Sequence, residues 1–447
     1  MSSAQKESPA GARSGLAGAV LVIMLWAVAT VAVIALDAFP ASRAAQDQDN
    51  YHLMAVRTFA ADLPRPDLGN YRSATTPGYH LALATVARAV SDGPRVLRCA
   101  GALFTLGLLA TLGVVAARRL GGPAPGALVL PLACSLYVFS AGAWILPDNA
   151  GWWGVLAVLA IALCRVPTAR AVAGAGVVLL ALVLCRQIHL WAAGVLWLWA
   201  LVGGPGESPG PRTRAKRLAL AVAASLPSFV TLWWFSRQWG GLVPPLFQGG
   251  VFDPVVGKLS PQNEGGNVAT PAFFLTIAAI FGVFFLGFFG RGWGRLRARE
   301  PAALALVGGG ALAGLVLAAF PHTTFDQEAG RYTGFWAVAL KLPALGGRSL
   351  FITAGAATGG ALLGLALASL RRREALILGI GATGFVLAQS TAFAAWQRYM
   401  EPMVLILLVL TAVSASRVDR ARPAPWAWIG PVLLSVMLGA ITLTSLR

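Results

Sequence analysis

The run LAGAVLVIMLWAVATVAVIAL, residues 16 to 36, carries no charged side chain over 21 consecutive positions. At a helical rise of about 1.5 Å per residue it crosses roughly 30 Å of hydrocarbon. It is longer than the roughly 7 to 15 apolar residues of a signal peptide, and more such runs follow it, so it reads as an uncleaved first helix. Similar runs occupy residues 96 to 117, 124 to 143, 150 to 164, 171 to 185, 187 to 203, 218 to 235, 270 to 290, 301 to 320, 350 to 370, 375 to 395, 402 to 416 and 425 to 446. The chain is therefore expected to be all-α, a polytopic membrane protein of about thirteen transmembrane helices forming one domain over residues 1 to 447. Composition agrees: 57% of the 447 residues are hydrophobic and 12% charged, against roughly a quarter charged in soluble domains.

The formal charge of +18 raises the question of nucleic acid, and the placement of the charges answers it. With a cytoplasmic N-terminus, the inner segments hold 20 of the 35 basic residues but five of the 17 acids, a net +15 inside against +3 outside. That is the positive-inside pattern of a plasma-membrane protein. The basic runs then meet anionic lipid headgroups, and nucleic acid is not an expected partner. The four cysteines lie in or beside apolar runs without CxxC spacing, which points to neither disulfides nor zinc.

Twelve acids fall outside although outer segments are few, so chemistry is expected on the outer face. The first outer loop, residues 37 to 95, has helical apolar spacing at Leu53, Val56, Phe59 and Ala60, consistent with a juxtamembrane helix, and residues 78 to 90 offer a second. Residues 203 to 217 form a cytoplasmic linker whose first part is rich in Gly and Pro. No nucleotide-binding loop, GxSxG elbow, HExxH motif or clear internal repeat is present.

Five polar groups stand out. Asp47 and Asp49, with His52 and then Thr75 and Thr76, lie on the first outer loop; an acid there can take the proton of an acceptor hydroxyl, or it can simply cap a helix. Asp148 follows the third span. Arg186, Gln187 and His189 interrupt an apolar stretch, where ionisable residues either line a cavity or sit at the water boundary. His322, Asp326, Arg331 and Tyr332 share an outer loop, and arginine suits a phosphate because its planar fork contacts two oxygens. Arg398 and Tyr399, beside Trp396, enter the twelfth span as phosphate ligand or interfacial anchor.

Taken in order, Asp49 with Tyr51-His52, Thr75-Thr-Pro-Gly78, Leu146-Pro-Asp148, Arg186-Gln-Ile-His189, Gly249-Gly-Val-Phe-Asp253, His322 through Arg331-Tyr-Thr333 with Trp336, and Arg398-Tyr399 with Glu401-Pro402 resemble the motifs of the eukaryotic dolichyl-phosphate-glucose α-1,2-glucosyltransferases, members of the GT-C superfamily. The resemblance spans about residues 36 to 402. It departs from the family at Gln48, where the family has its first acid, at His189, where it has Asn, in a longer Asp326 to Arg331 spacing, and in the order of the Arg-Tyr and Glu-Pro elements. The 31 arginines against four lysines fit a GC-rich bacterial genome, whose carrier would be a polyprenyl phosphate.

The resemblance implies a GT-C-like fold with outer-face juxtamembrane helices and transfer of a glucose-like hexose from a polyprenyl-phosphate-linked sugar to a glycan or lipid-linked acceptor. It implies inversion at the anomeric carbon and no requirement for a metal or other cofactor. In that scheme Asp49 or Asp47 is the base, Arg331, Arg398 and Arg186 hold the donor phosphate, and His52, Thr75, Thr76, Asp148, Gln187, His189, His322, Asp326, Tyr332 and Tyr399 position substrates. The competing class is a transporter or flippase, for which buried charges are equally natural; the clustering of polar residues at one face favours the enzyme.

Overall fold

The computed structural model describes residues 9 to 120, 124 to 248, 251 to 253, 258 to 260, 266 to 320, 334 to 392, 395 to 419 and 423 to 446. The protein is all-α and polytopic. Among the described residues eight helices are long and apolar enough to cross a bilayer: Gly15–Ala35, Pro94–Leu120, Pro211–Trp239, Thr270–Phe288, Pro301–Ala318, Leu350–Ala368, Gln397–Val418 and Pro425–Leu446. A bent pair, Pro125–Cys134 and Leu136–Ala143, makes a ninth. Every one of the thirteen predicted apolar segments is largely helical, but length and apolarity alone qualify eight or nine as spans. The helices Asp148–Cys164, Ala169–Cys185 and Gln187–Val202 are shorter, so they reach roughly 25 Å.

Local chemistry sets the boundaries. Prolines occupy the first turn of the helices beginning at Pro211 and Pro301, where a missing N–H costs nothing. Thr168 and Ser349 cap the helices that follow them by accepting from Ala171 N and Ile352 N. The bent pair turns through 72° after Pro131, at Ser135, whose backbone is extended.

Without a hydrophobic drive between helices in lipid, close packing carries the bundle. Pro301–Ala318 and Leu350–Ala368 meet through two small-residue ladders: a Cβ on Gly310 would strike the backbone of Gly360, and one on Gly314 that of Ala356. The helix Gln397–Asp419 runs through the centre and is buried from Met400 to Ala415. Large parts of Pro211–Trp239 and Pro301–Ala318 are exposed, as lipid-facing helices are.

The two ends of the bundle differ. At the linker end, Arg119 donates to Leu163 O at 2.9 Å and Ser414 Oγ at 3.2 Å, Arg373 donates to Gly203 O at 2.8 Å, and Arg217 pairs with Glu207 at 3.0 Å. Basic side chains thus tie off the last carbonyls of several helices. At the first-loop end, residues 43 to 62 form an unbroken helical run, Arg43–Asp47, the π turn Gln48–His52 and Leu53–Asp62. The helix Gly78–Ala89 packs against it. Both stretches whose apolar spacing suggested helices are therefore helical and packed on each other.

Candidate active site

Four elements bring charge together at the first-loop end. The run 43 to 62 supplies Asp47, the N-terminus of Asp148–Cys164 supplies Asp148, the break after Ala169–Cys185 supplies Arg186, and the start of Gln397–Asp419 supplies Arg398. Each side chain sits where a helix begins, ends or changes its winding, because only there can an apolar span place a charge near water.

They form one alternating chain. Arg398 donates to Asp47 Oδ2 at 3.1 Å and its other terminal nitrogen lies 3.6 Å from Asp148 Oδ2. The remaining Asp148 oxygen accepts from Arg186. Both guanidinium groups stack on the ring of Tyr399, at 4.7 Å for Arg186 and 5.0 Å for Arg398. The inner pair is closed off, with Arg186 and Asp148 side chains each 9% exposed, whereas Arg398 and Asp47 are 32% and 28% exposed. The cluster is therefore more open at Arg398 than at Arg186.

Arg186 is extended in backbone between Ala169–Cys185 and the 3-10 turn Gln187–Trp191. This is the hairpin between two short antiparallel helices, because Trp199 near the end of the second donates to Arg165 O, in the turn that leads into the first. The arginine is nonetheless buried, and Gly151 lets it lie there: a Cβ at that position would sit 3.0 Å from Arg186 Cδ and 3.1 Å from His189 Nε2. His189 packs edge-on to Trp152 with ring centroids 5.1 Å apart.

Asp49 faces elsewhere. Two positions along a helical run point to nearly opposite sides, and Asp49 accepts from Gln48 Nε2 at 2.8 Å beside a groove of about 430 Å³ lined by Asp37, Arg95 and Arg98. Gln48, the departure from the family pattern, is wholly buried and accepts from Arg98 Nε at 2.9 Å and Ile145 N at 3.2 Å. The neutral amide thereby locks the π turn onto two neighbouring segments. Arg98 also pairs with Asp37 at 2.7 Å, where the backbone has turned left-handed at φ 47 just beyond the first helix.

His52 lies in the field of Asp148, Arg398 and Arg186, and burial first, then the two arginines, hold its pKa down to about 3 although Asp148 pulls the other way. Its Nδ1 is 2.9 Å from Nε2 of His80. Burial likewise holds His80 well below its ordinary value.

Gln187 and the two threonines serve as struts. Gln187 accepts from Thr76 N at 3.0 Å and donates to Ala74 O at 2.8 Å and Leu242 O at 3.0 Å. Thr76 donates to Val183 O at 2.6 Å and Thr75 shares a hydrogen bond with Ser73 at 3.0 Å. They join the first loop to the Arg186 hairpin. His322, Asp326, Arg331 and Tyr332 lie outside the described residues, as do the side chains of 249 to 253. Phe335, near the start of the next described segment, is held by Gln397, which accepts from Phe335 N at 2.8 Å and donates to Glu401 Oε2 at 2.9 Å. Glu401 also accepts from Ser135 at 2.6 Å.

Sequence reasoning left Gln48, Arg98, His80 and Glu401 unassigned. Glu401 and Arg98 carried the signal of an ionisable group at the edge of an apolar run; Gln48 was marked only as standing where the resembled family has its first acid, and His80 carried none. Among the described residues, no three His, Cys, Asp or Glu side chains are grouped so that they could hold a metal ion.

No family model matches the chain, and no curated protein is matched by its sequence. Two solved structures are similar in outline. The crystal structure of ArnT from Cupriavidus metallidurans bound to undecaprenyl phosphate aligns with 93% of this chain at 15% identity and a TM-score of 0.43; the chain spans 64% of its length. The apo structure of ArnT from the same organism aligns with 88% of this chain and 77% of its own length, at 16% identity and a TM-score of 0.36.

Proposed function

We propose that the chain is an integral-membrane glycosyltransferase of the GT-C type, moving a hexose, glucose-like by the motif resemblance, from a polyprenyl-phosphate carrier to a glycan or lipid-linked acceptor. The carrying observation is the alternating chain Asp47, Arg398, Asp148, Arg186 at the end of the spans, open at Arg398 and closed at Arg186. A phosphate joined to a membrane-held tail needs such an arrangement, because its charge must be met where water ends and lipid begins.

In this reading the donor phosphate takes Arg398, stacked on Tyr399, and Asp47 gives up its partner. The freed carboxylate accepts the proton of the acceptor hydroxyl while that oxygen attacks the anomeric carbon. The bond from that carbon to the phosphate oxygen breaks, and the polyprenyl phosphate leaves with its charge met by Arg398 and Arg186, and by Arg331 in the role the motif resemblance implies for it. Asp148 holds both arginines in place. Attack opposite the leaving phosphate inverts the configuration. Asp49, on the groove with Arg95 and Arg98, is the other candidate base.

The site belongs to the outer face of the plasma membrane in this scheme, because the linker end bears the arginines that the positive-inside rule keeps cytoplasmic. Transfer from a radiolabelled polyprenyl-phosphate sugar, assayed with Asp47→Asn and Asp49→Asn separately, tests the proposal. Asp47→Asn is expected to lose at least about a hundredfold in kcat, and Asp49→Asn to retain most activity. The reverse pattern moves the base to Asp49; full activity in both removes a carboxylate base.

A further inference from the structure

His52 and His80 bring two ring nitrogens to 2.9 Å, with the rings 20° from parallel. At that distance one proton lies between the nitrogens: two would collide, and none would set two lone pairs against each other. Which ring owns it decides what His52 offers to the charged cluster. Among the described residues His80 Nδ1 is buried and has no hydrogen-bond partner. A bare buried acceptor is tolerated more readily than an orphaned buried N–H. The proton therefore belongs on His80 Nε2, leaving Nδ1 of that ring bare.

The pair is also a dead end for protons. His80 is wholly enclosed, against Tyr79 at 5.5 Å and Tyr71 at 6.4 Å between ring centroids, and among the described residues its Nδ1 has no hydrogen-bond partner to continue a relay. Its work is to fix its neighbour.

We propose that His80 is a positioning residue: by donating its Nε2–H to Nδ1 of His52, it holds His52 as a neutral ring whose own Nε2–H is offered to an oxygen of the phosphosugar donor. The chemistry suits an uncharged donor beside two arginines, since a third cation there would repel them, whereas a neutral N–H adds a hydrogen bond without charge. Burial keeps both rings uncharged at neutral pH. The inference rests on the glycosyl-transfer reading for what His52 touches, and on the pair's geometry for the tautomer.

The proton can be located directly. In the full-length protein labelled with 15N-histidine and reconstituted in lipid, solid-state NMR is expected to show one N–H···N coupling between two histidine rings, with the proton on Nε2 of His80. A proton on Nδ1 of His52 overturns the proposal. Kinetics supply the second readout. His80→Gln can still donate from its amide and is expected to keep KM for the polyprenyl-phosphate sugar within about threefold. His80→Met is expected to raise that KM by about tenfold with kcat little changed, the scale of one hydrogen bond. Equal losses in both variants, or a fall confined to kcat, overturn it. If the unaltered protein transfers no sugar from any polyprenyl-phosphate donor, the enzymatic reading falls, while the NMR result still decides the pair.

Discussion

Arg186 and Arg398 share Asp148 and the Tyr399 ring, yet the two should respond differently to substitution. Truncating Arg186 leaves Asp148 buried without its closest cation, and Arg186→Ala is expected to destabilise the protein by about 3–5 kcal/mol. Thermal unfolding in detergent measures this, and Arg186→Ala combined with Asp148→Ala should recover part of the loss. Arg398 is more open, so Arg398→Ala should fold and lose transfer activity instead. A variant of Arg398 that unfolds as readily as that of Arg186 counts against the distinction between a closed and an open pair. The histidine pair has a pH signature as well. His52 is neutral when folded, with a pKa near 3, while its unfolded value lies near 6.5, so between those values the unfolded chain binds more protons. Stability is therefore complete above the unfolded value and falls with acidification through that window, and His52→Asn should flatten the midpoint-against-pH curve there.

At the level of elements, the breaks matter more than the helices. The 72° bend at Ser135, the hairpin at Arg186 and the π turn Gln48–His52 are where polar side chains enter an otherwise apolar bundle. The glycine ladders do the opposite and exclude everything but backbone. Gly314→Val forces the helices Pro301–Ala318 and Leu350–Ala368 apart and is expected to cost about 1–3 kcal/mol, read as a fall in unfolding midpoint. The linker has a switchable clasp: Glu207 accepts from Arg217 and from Gly204 N, which together hold its carboxyl below the ordinary range. The folded form is thus favoured at neutral pH and loses that support as pH falls through the depressed value. Glu207→Gln should make trypsin cut faster near Arg212 and Arg214; an unchanged cutting rate would show that the clasp does not order the linker.

Across the whole molecule, the segregation of charge to two ends predicts an orientation. With the four native cysteines replaced by serine, Thr58→Cys at the first-loop end should react with a membrane-impermeant thiol reagent on intact cells. Ser208→Cys in the linker should react only after permeabilisation. Both positions are exposed, so the opposite pattern would invert the orientation and place the site inside. The contacts of Arg119, Arg373 and Arg217 gather basic residues at the linker end, and the positive-inside rule turns that segregation into the expected orientation.

Helicity, membrane residence and the positions of nearly all the apolar segments follow from composition and run length alone, because a run of about 20 apolar residues has few ways to satisfy its backbone other than a helix in lipid. Asp148, Arg186 and Arg398, which the structure gathers with Asp47, stood out for the same reason: charge is so costly beside an apolar run that its presence marks itself. Pairing was not legible. Asp47 and Asp49 are two positions apart and equally acidic, but the winding of the π turn sends one to Arg398 and the other to the groove with Arg98. Arg186 looked equally like a boundary residue and a cavity residue, and it is at once a hairpin residue and a buried one. His80, 28 positions beyond His52, lies on an amphipathic helix whose spacing says which face is buried but not what it is buried against. Periodicity is a property of one segment, whereas an ion pair or a shared proton is a property of two, and only the folding of the chain brings the second segment into reach.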